Sequence, residues 1–172
     1  GTVVLDLTQA IILGVLLSAV VFIFRISQIT IEQLPASAEK MLARGYTMQS
    51  DASKIVVIYV VGPLFFGTAA SFDEGVANLN GVRDVVLSLR TVPLMDTTGL
   101  RSIDQLVTRL EQQGGKVYLS GLNKPVYEYL ERSRLLARIG QGSVHWSSLE
   151  AIIAADQYRA SQAANTHVLR PK

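Results

Sequence analysis

Apolar residues along this chain follow three patterns. From Leu7 to Phe24 the sequence runs LTQAIILGVLLSAVVFIF without a charged side chain. At ~1.5 Å rise per residue this run makes a helix about 27 Å long, close to the hydrocarbon thickness of a bilayer. Its apolar residues surround the axis instead of forming one stripe, as in helices buried in lipid or in a large core. Ile26 to Ser53 is mixed, is punctuated by Pro35 and Gly45, and reads as a connector with one or two helical turns over Ser37 to Arg44. From Lys54 onward, short β-branched runs alternate with helical spacings.

Ile55 to Val61 is continuous and β-branched, which predicts a strand buried on both faces. Gly62-Pro63 breaks it, and Leu64 to Phe66 reads as a short second strand forming an antiparallel hairpin. Ala69 to Asn78 fits a helix with Phe72, Val76 and Leu79 on one side, closed by the Asn80-Gly81 turn. Asp84 to Leu89 is the next strand. Leu100, Ile103, Leu106, Val107 and Leu110 then recur at helical spacing, with Arg101, Asp104, Arg109 and Glu111 facing out. Gly114-Gly115 ends that helix and Lys116 to Ser120 is a further strand. Asn123 caps a helix that tolerates Pro125 in its first turn and turns Val126, Tyr129 and Leu130 inward. A shorter helical turn, Leu135 to Ile139, ends at Gly140. Val144 to Trp146 reads as an edge strand, and Ser147-Ser148-Leu149-Glu150 as a capping box opening the last helix. The tail from Ala163 is polar and expected to fray. The alternation predicts an α/β fold with a mixed, mainly parallel sheet and flanking helices.

Composition narrows the chemistry. With no cysteine, disulfides, thiolate catalysis and Cys-based zinc sites are excluded. Two histidines, His145 and His167, are too few for a His-based metal site. A net charge of +2 without a clustered basic face gives no sign of nucleic-acid binding. There is no Walker A lysine motif, and Ser71, Asp73 and His145 lack the nucleophile elbow of a hydrolase triad. No catalytic residue, metal or cofactor is assigned.

Three readings compete for the apolar run. A signal peptide lacks support, because Asp6 precedes the run and no basic n-region does. A buried soluble helix is open on length. A membrane span is favoured, with Gly14 and Ser18 at i, i+4 giving a face for close helix packing. Arg25, Lys40 and Arg44 follow the run, which places the remainder in the cytoplasm under the positive-inside tendency. A chain that opens at Gly1 is expected to be a piece of a longer protein.

The candidate site is Pro93-Leu94-Met95-Asp96-Thr97-Thr98-Gly99-Leu100, a polar loop between a strand and a helix. Free N–H groups and a positive helix dipole there suit a phosphate or an acidic group. Capping alone also explains these residues: Thr97 or Thr98 caps the Gly99 to Gln113 helix, Asp96 accepts N–H bonds in the turn, and Gly99 allows close approach. Arg83 and Arg90 flank a strand as surface arginines. Phe65, Phe66 and Phe72 fit core packing better than an exposed patch, and Trp146 fits packing at a sheet edge.

Gly62-Pro63-Leu64-Phe65-Phe66-Gly67-Thr68-Ala69 resembles the hairpin of STAS domains attached to SulP (SLC26-like) anion transporters. Val85 to Leu89 followed by Asp96-Thr97-Thr98-Gly99 is similar to the STAS core strand and loop, and Lys116 to Leu122 to the next strand and turn. Leu5 to Arg25 resembles the last membrane helix of these carriers. The resemblance implies a terminal transmembrane helix over 1–25, a linker over 26–53, a STAS domain over 54–160 and a flexible tail over 161–172. It implies the C-terminal regulatory and assembly region of a sulfate permease-like carrier in the cell membrane. The carrier's membrane domain and a homodimer mate would be its partners, and a regulatory protein would dock at the Asp96–Gly99 loop. In that family the anion is held by earlier membrane segments, so no substrate residue falls here. The alternative is a membrane-tethered regulator of the anti-sigma-factor-antagonist type, switched by phosphorylation at Thr97 with Thr98 as neighbour, although serine is usual at that position. A nucleotide-binding STAS domain has family precedent only.

Overall fold

The computed structural model describes residues 2–26 and 28–168. Helix α1 (Thr2–Ile26) is followed by strand β1 (Thr30–Pro35) and helix α2 (Ala38–Ala43). Then come β2 (Ile55–Val61), α3 (Phe66–Gly75), β3 (Asp84–Thr91), α4 (Thr97–Gln112) and β4 (Lys116–Ser120). Helices α5 (Lys124–Arg132) and α6 (Leu135–Ile139), strand β5 (Val144–His145) and helix α7 (Ser148–Val168) complete the chain. The sheet order is β1-β2-β3-β4-β5, antiparallel between β1 and β2 and parallel elsewhere.

The β-branched runs form the middle of this sheet because both of their faces are covered. Val56, Ile58 and Val60 alternate onto one face, where Val85, Leu87, Leu89, Val117 and Leu119 join them beneath α3 to α6. Ile55 and Val57 point to the other face with Val86 and Tyr118, against Met41 of α2 and Ala151, Ile152 and Ala155 of α7. Phe72, Val76 and Leu79 are buried as their spacing predicts.

The start of the sheet differs from the hairpin that the residue pattern predicts. Leu64 to Phe66 forms no second strand. Leu64 makes a single parallel bridge to Met95, and α3 has begun by Phe66. Gly62, at φ +113°, turns the chain, and Pro63 has no N–H for a ladder. The antiparallel partner of β2 comes from the presumed connector: Thr30 pairs with Val61 and Pro35 with Val56. Strand β1 is largely exposed, as an edge strand can be, so it lacks the apolar run that marks a central strand.

Two carboxylates fix α7. Asp84 is fully buried and receives Arg159 through two bonds, Nε to Oδ2 at 2.5 Å and Nη2 to Oδ1 at 2.6 Å. Asp156, also fully buried, accepts from the Tyr46 hydroxyl at 2.7 Å, the Gln49 amide at 2.9 Å and the amide and hydroxyl of Ser50. These bonds pin the segment before β2 to the last helix. Helix α7 runs on through Ala163 to Val168, where fraying was expected; residues 169–172 lie outside the described ones. At its start the Ser147 hydroxyl accepts from the Glu150 amide, which is half of the expected capping box; the return bond is displaced by one residue, Glu150 accepting from the Trp146 amide in place of that of Ser147. Strand β5 stops at His145, and Trp146 is 74% exposed rather than packed at the edge.

In α1, the segment Asp6–Ile23 has a mean hydropathy of 2.2 and none of it is buried. It is long and apolar enough to cross a membrane.

Burial by itself would raise the Asp156 carboxyl, but the hydrogen bonds from Ser50, Gln49 and Tyr46 outweigh it and hold the pKa below the usual carboxylate value. Burial and the same carboxylate push the Tyr46 hydroxyl up to about 12. Asp156→Ala is expected to lower unfolding free energy by about 1–3 kcal/mol, read by urea denaturation, because it removes the charged acceptor shared by the half-buried Tyr46 and Ser50 and by the Gln49 amide. A depressed folded-state pKa contributes stability above the unfolded value. This contribution is therefore present at neutral pH and lost as pH falls through the lower folded value, a loss that Asp156→Ala removes from the profile.

Candidate functional site at the Asp96 loop

Asp96 follows β3 and sets the start of α4. It is the N-cap, with extended backbone, and its Oδ1 accepts from the Thr98 amide at 2.8 Å and the Gly99 amide at 2.9 Å. This corrects the expectation that Thr97 or Thr98 caps the helix: both lie inside its first turn, and the helix begins two residues before Gly99. A carboxylate with extended backbone is as good a cap as a threonine, and it comes first in the chain.

The second oxygen of Asp96 reaches another helix. Oδ2 accepts from the Phe66 amide at 3.0 Å, 30 residues away in sequence. The N-cap of α3 is Phe65, whose side chain makes no capping bond. Asp96 therefore serves two helix N-termini at once, each a source of free donors and positive potential. Within α3 the Thr68 hydroxyl accepts from the Phe65 amide at 3.1 Å and donates to the Pro63 carbonyl at 2.8 Å.

Backbone contacts draw the two loops together. The Leu64 amide donates to the Leu94 carbonyl at 3.1 Å, and the Asp96 amide to the Leu64 carbonyl at 3.2 Å. Gly99 seats α4 against this knot: a Cβ there would lie 2.3 Å from the Leu64 carbonyl oxygen and 2.8 Å from Leu64 Cγ. Leu64 itself is fully buried. Asn123 ties in the next loop, donating to the Val92 carbonyl at 2.7 Å while accepting from the Val126 amide at 2.9 Å.

Around this knot the surface is both polar and apolar. Thr97 and Thr98 are exposed, and the Thr97 hydroxyl lies 3.2 Å from the Tyr129 hydroxyl of α5. Phe66 is 75% exposed and Leu94 52%, so only Phe72 of the three phenylalanines is in the core. Arg90 donates to the Trp146 carbonyl at 2.9 Å, whereas Arg83 lies on the surface. Among the described residues no cluster of three His, Asp or Glu could hold a metal ion. Sequence reasoning missed the roles of Leu64, the Phe66 amide and Tyr129. The polar-poor start of α3 was a usable signal, because a helix with phenylalanine at its N-cap must find its cap elsewhere.

Residues 48–150 match the family model described as the STAS domain, and the chain belongs to that family. Two Bacillus subtilis (strain 168) proteins provisionally named sulfate transporters are similar. YbaR is 28% identical over 119 residues, 69% of this chain and 22% of YbaR. YvdB is 29% identical over 143 residues, 81% of this chain and 26% of YvdB. The chain thus spans about a quarter of the length of these relatives. Among solved structures, SLC26A9 matches with a TM-score of 0.69 and 19% identity, covering 90% of this chain and 28% of that one. The uncovered tenth is shorter than the 25 residues of α1, so this likeness of fold takes in part of that helix. A Thermotoga maritima protein provisionally described as an anti-sigma factor antagonist matches at TM-score 0.54 and 22% identity, over 59% of this chain and 87% of that one.

Gly99→Ala is expected to destabilise the fold by about 1–3 kcal/mol, since a backbone carbonyl cannot move aside. Asp96→Ala removes three accepted bonds and is expected to cost about 1–2 kcal/mol. Hydrogen exchange at the Phe66 amide distinguishes the two helix ends: Asp96→Ala should speed it, whereas substitution of Thr97 should not.

Proposed function

We propose that this chain is the C-terminal region of a membrane carrier for a small inorganic anion such as sulfate. In this reading α1 is its last span and the STAS domain lies in the cytoplasm, where it assembles and regulates the carrier and performs no chemistry. The observation that carries the reading is continuity: the likeness to SLC26A9, described in a second solved structure as an anion transporter, runs from the STAS fold into α1. Relatives named as sulfate transporters and an apolar, unburied α1 support it. Arg25, directly after the apolar run, supports the cytoplasmic side. Phe66 and Leu94 beside Asp96 offer a docking surface for the membrane domain or for the second copy of a homodimer.

The reading is tested by sulfate uptake in cells expressing the whole carrier with Asp96 to Gly99 replaced by alanines. Reduced uptake, or a reduced amount of carrier at the cell surface, is expected. If both stay unchanged, the regulatory and assembly role fails.

A second reading rests on the fold likeness to an anti-sigma factor antagonist and on the exposed Thr97 hydroxyl. In it the chain is a tethered regulator switched by phosphorylation at Thr97, where a charge of about −1.5 to −2 would separate Thr97 from Tyr129 and alter partner docking. Mass spectrometry of the protein after incubation with cell kinases decides it: an unmodified Thr97 and Thr98 would remove this reading.

A further inference from the structure

A groove of about 770 Å³ opens between the first turns of α4 and the α5–α6 corner. Buried Leu135 and half-buried Leu100 give it an apolar floor. Its charged walls hold three arginines, Arg101, Arg134 and Arg138, against one carboxylate, Asp104. That carboxylate is already engaged: Arg138 Nη1 lies 2.5 Å from Asp104 Oδ1, and its Nη2 bonds the Thr108 hydroxyl and Glu111. Arg138 is thereby fixed to α4 and neutralised. Arg101 and Arg134 are exposed, and among the described residues neither guanidinium has an ion-pair or hydrogen-bond partner. Arg134 is also the one described non-glycine residue with positive φ, at +65°, in the tight turn that brings α6 to the groove.

Thr97 and Thr98 line the same groove. Resting on the docking role given above to the Asp96–Gly99 loop, we propose that this groove docks an acidic peptide segment of a partner protein, pairing its carboxylates with Arg101 and Arg134 and placing an apolar side chain on Leu100 and Leu135. Charge complementarity selects the occupant. Two uncompensated guanidiniums favour carboxylates and disfavour basic or neutral segments. The recessed apolar floor selects a peptide over a lipid surface, because a bilayer engages side chains that protrude. A volume of this size exceeds what a single small anion fills. Rim charges of this kind act mainly on encounter and salt dependence, so the interaction should weaken as ionic strength rises.

The test uses the full chain in zwitterionic detergent micelles and a fluorescein-labelled peptide of alternating Glu and Leu, with fluorescence anisotropy at low and physiological salt. Binding is expected at low salt, with an affinity loss of about tenfold or more for the Arg101→Glu, Arg134→Glu double variant. A Gln/Leu peptide should not bind. Arg101→Gln, Arg134→Gln provides a milder second variant, and circular dichroism checks that both keep the fold. Peptide that fails to bind the parent chain, or that binds the Glu variant equally well, overturns the proposal. So does loss of binding to phosphatidylserine vesicles in the Glu variant without any binding of the peptide, which would assign these arginines to a lipid surface.

Discussion

Strands β2, β3 and β4 are apolar on both faces, and every other element of the domain answers to that constraint. One face is covered by α3 to α6 and the other by α2 and α7. Leaving either face open would expose several large side chains, each worth about 1.5–3 kcal/mol when buried. Helix α7 is held by specific bonds as well as by apolar contact. Asp84 with Arg159 and Asp156 with the Tyr46–Ser50 segment supply them. The second of these also ties down the stretch that links α1 and β1 to the body of the domain.

At the other end of the strands, helix termini crowd together. Two helices begin beside Leu64, and one of them starts at a residue with no capping oxygen. Asp96 resolves both needs with one carboxylate, and Gly99 leaves room for the approach. The Asp-Thr-Thr-Gly loop is therefore a structural junction first. Its exposed surroundings, Phe66, Leu94, Thr97 and Thr98, are held in place by that junction and are free to meet a partner. Regulation at such a site would work by changing what docks there, since neither oxygen of Asp96 can be withdrawn without loosening a helix.

Much of this was legible in the residue order. Ile55 to Val61, Asp84 to Leu89 and Lys116 to Ser120 declare themselves as central strands by composition, and Asn123 and Ser147 declare the helix starts after them. The Gly-Pro-Leu-Phe-Phe and Asp-Thr-Thr-Gly motifs together carry the family resemblance, and the uncharged run to Phe24 carries the membrane reading. These are local signals: periodicity, branching at Cβ and capping chemistry act within a few residues.

Tertiary structure alone decided what depends on distant partners. Thr30 to Pro35 is a strand only because β2 offers it a free edge, and nothing in its own mixed composition says so. Leu64 to Phe66 has strand-like residues but meets Met95 through a single bridge, since proline and the onset of α3 prevent a ladder. The second oxygen of Asp96 finds an amide 30 residues away, and Asp156 gathers donors more than 100 residues upstream. Hydrogen bonds to buried carboxylates are set by where the packed elements bring their donors, and that placement is a property of the assembled sheet and helices, not of any short stretch of sequence.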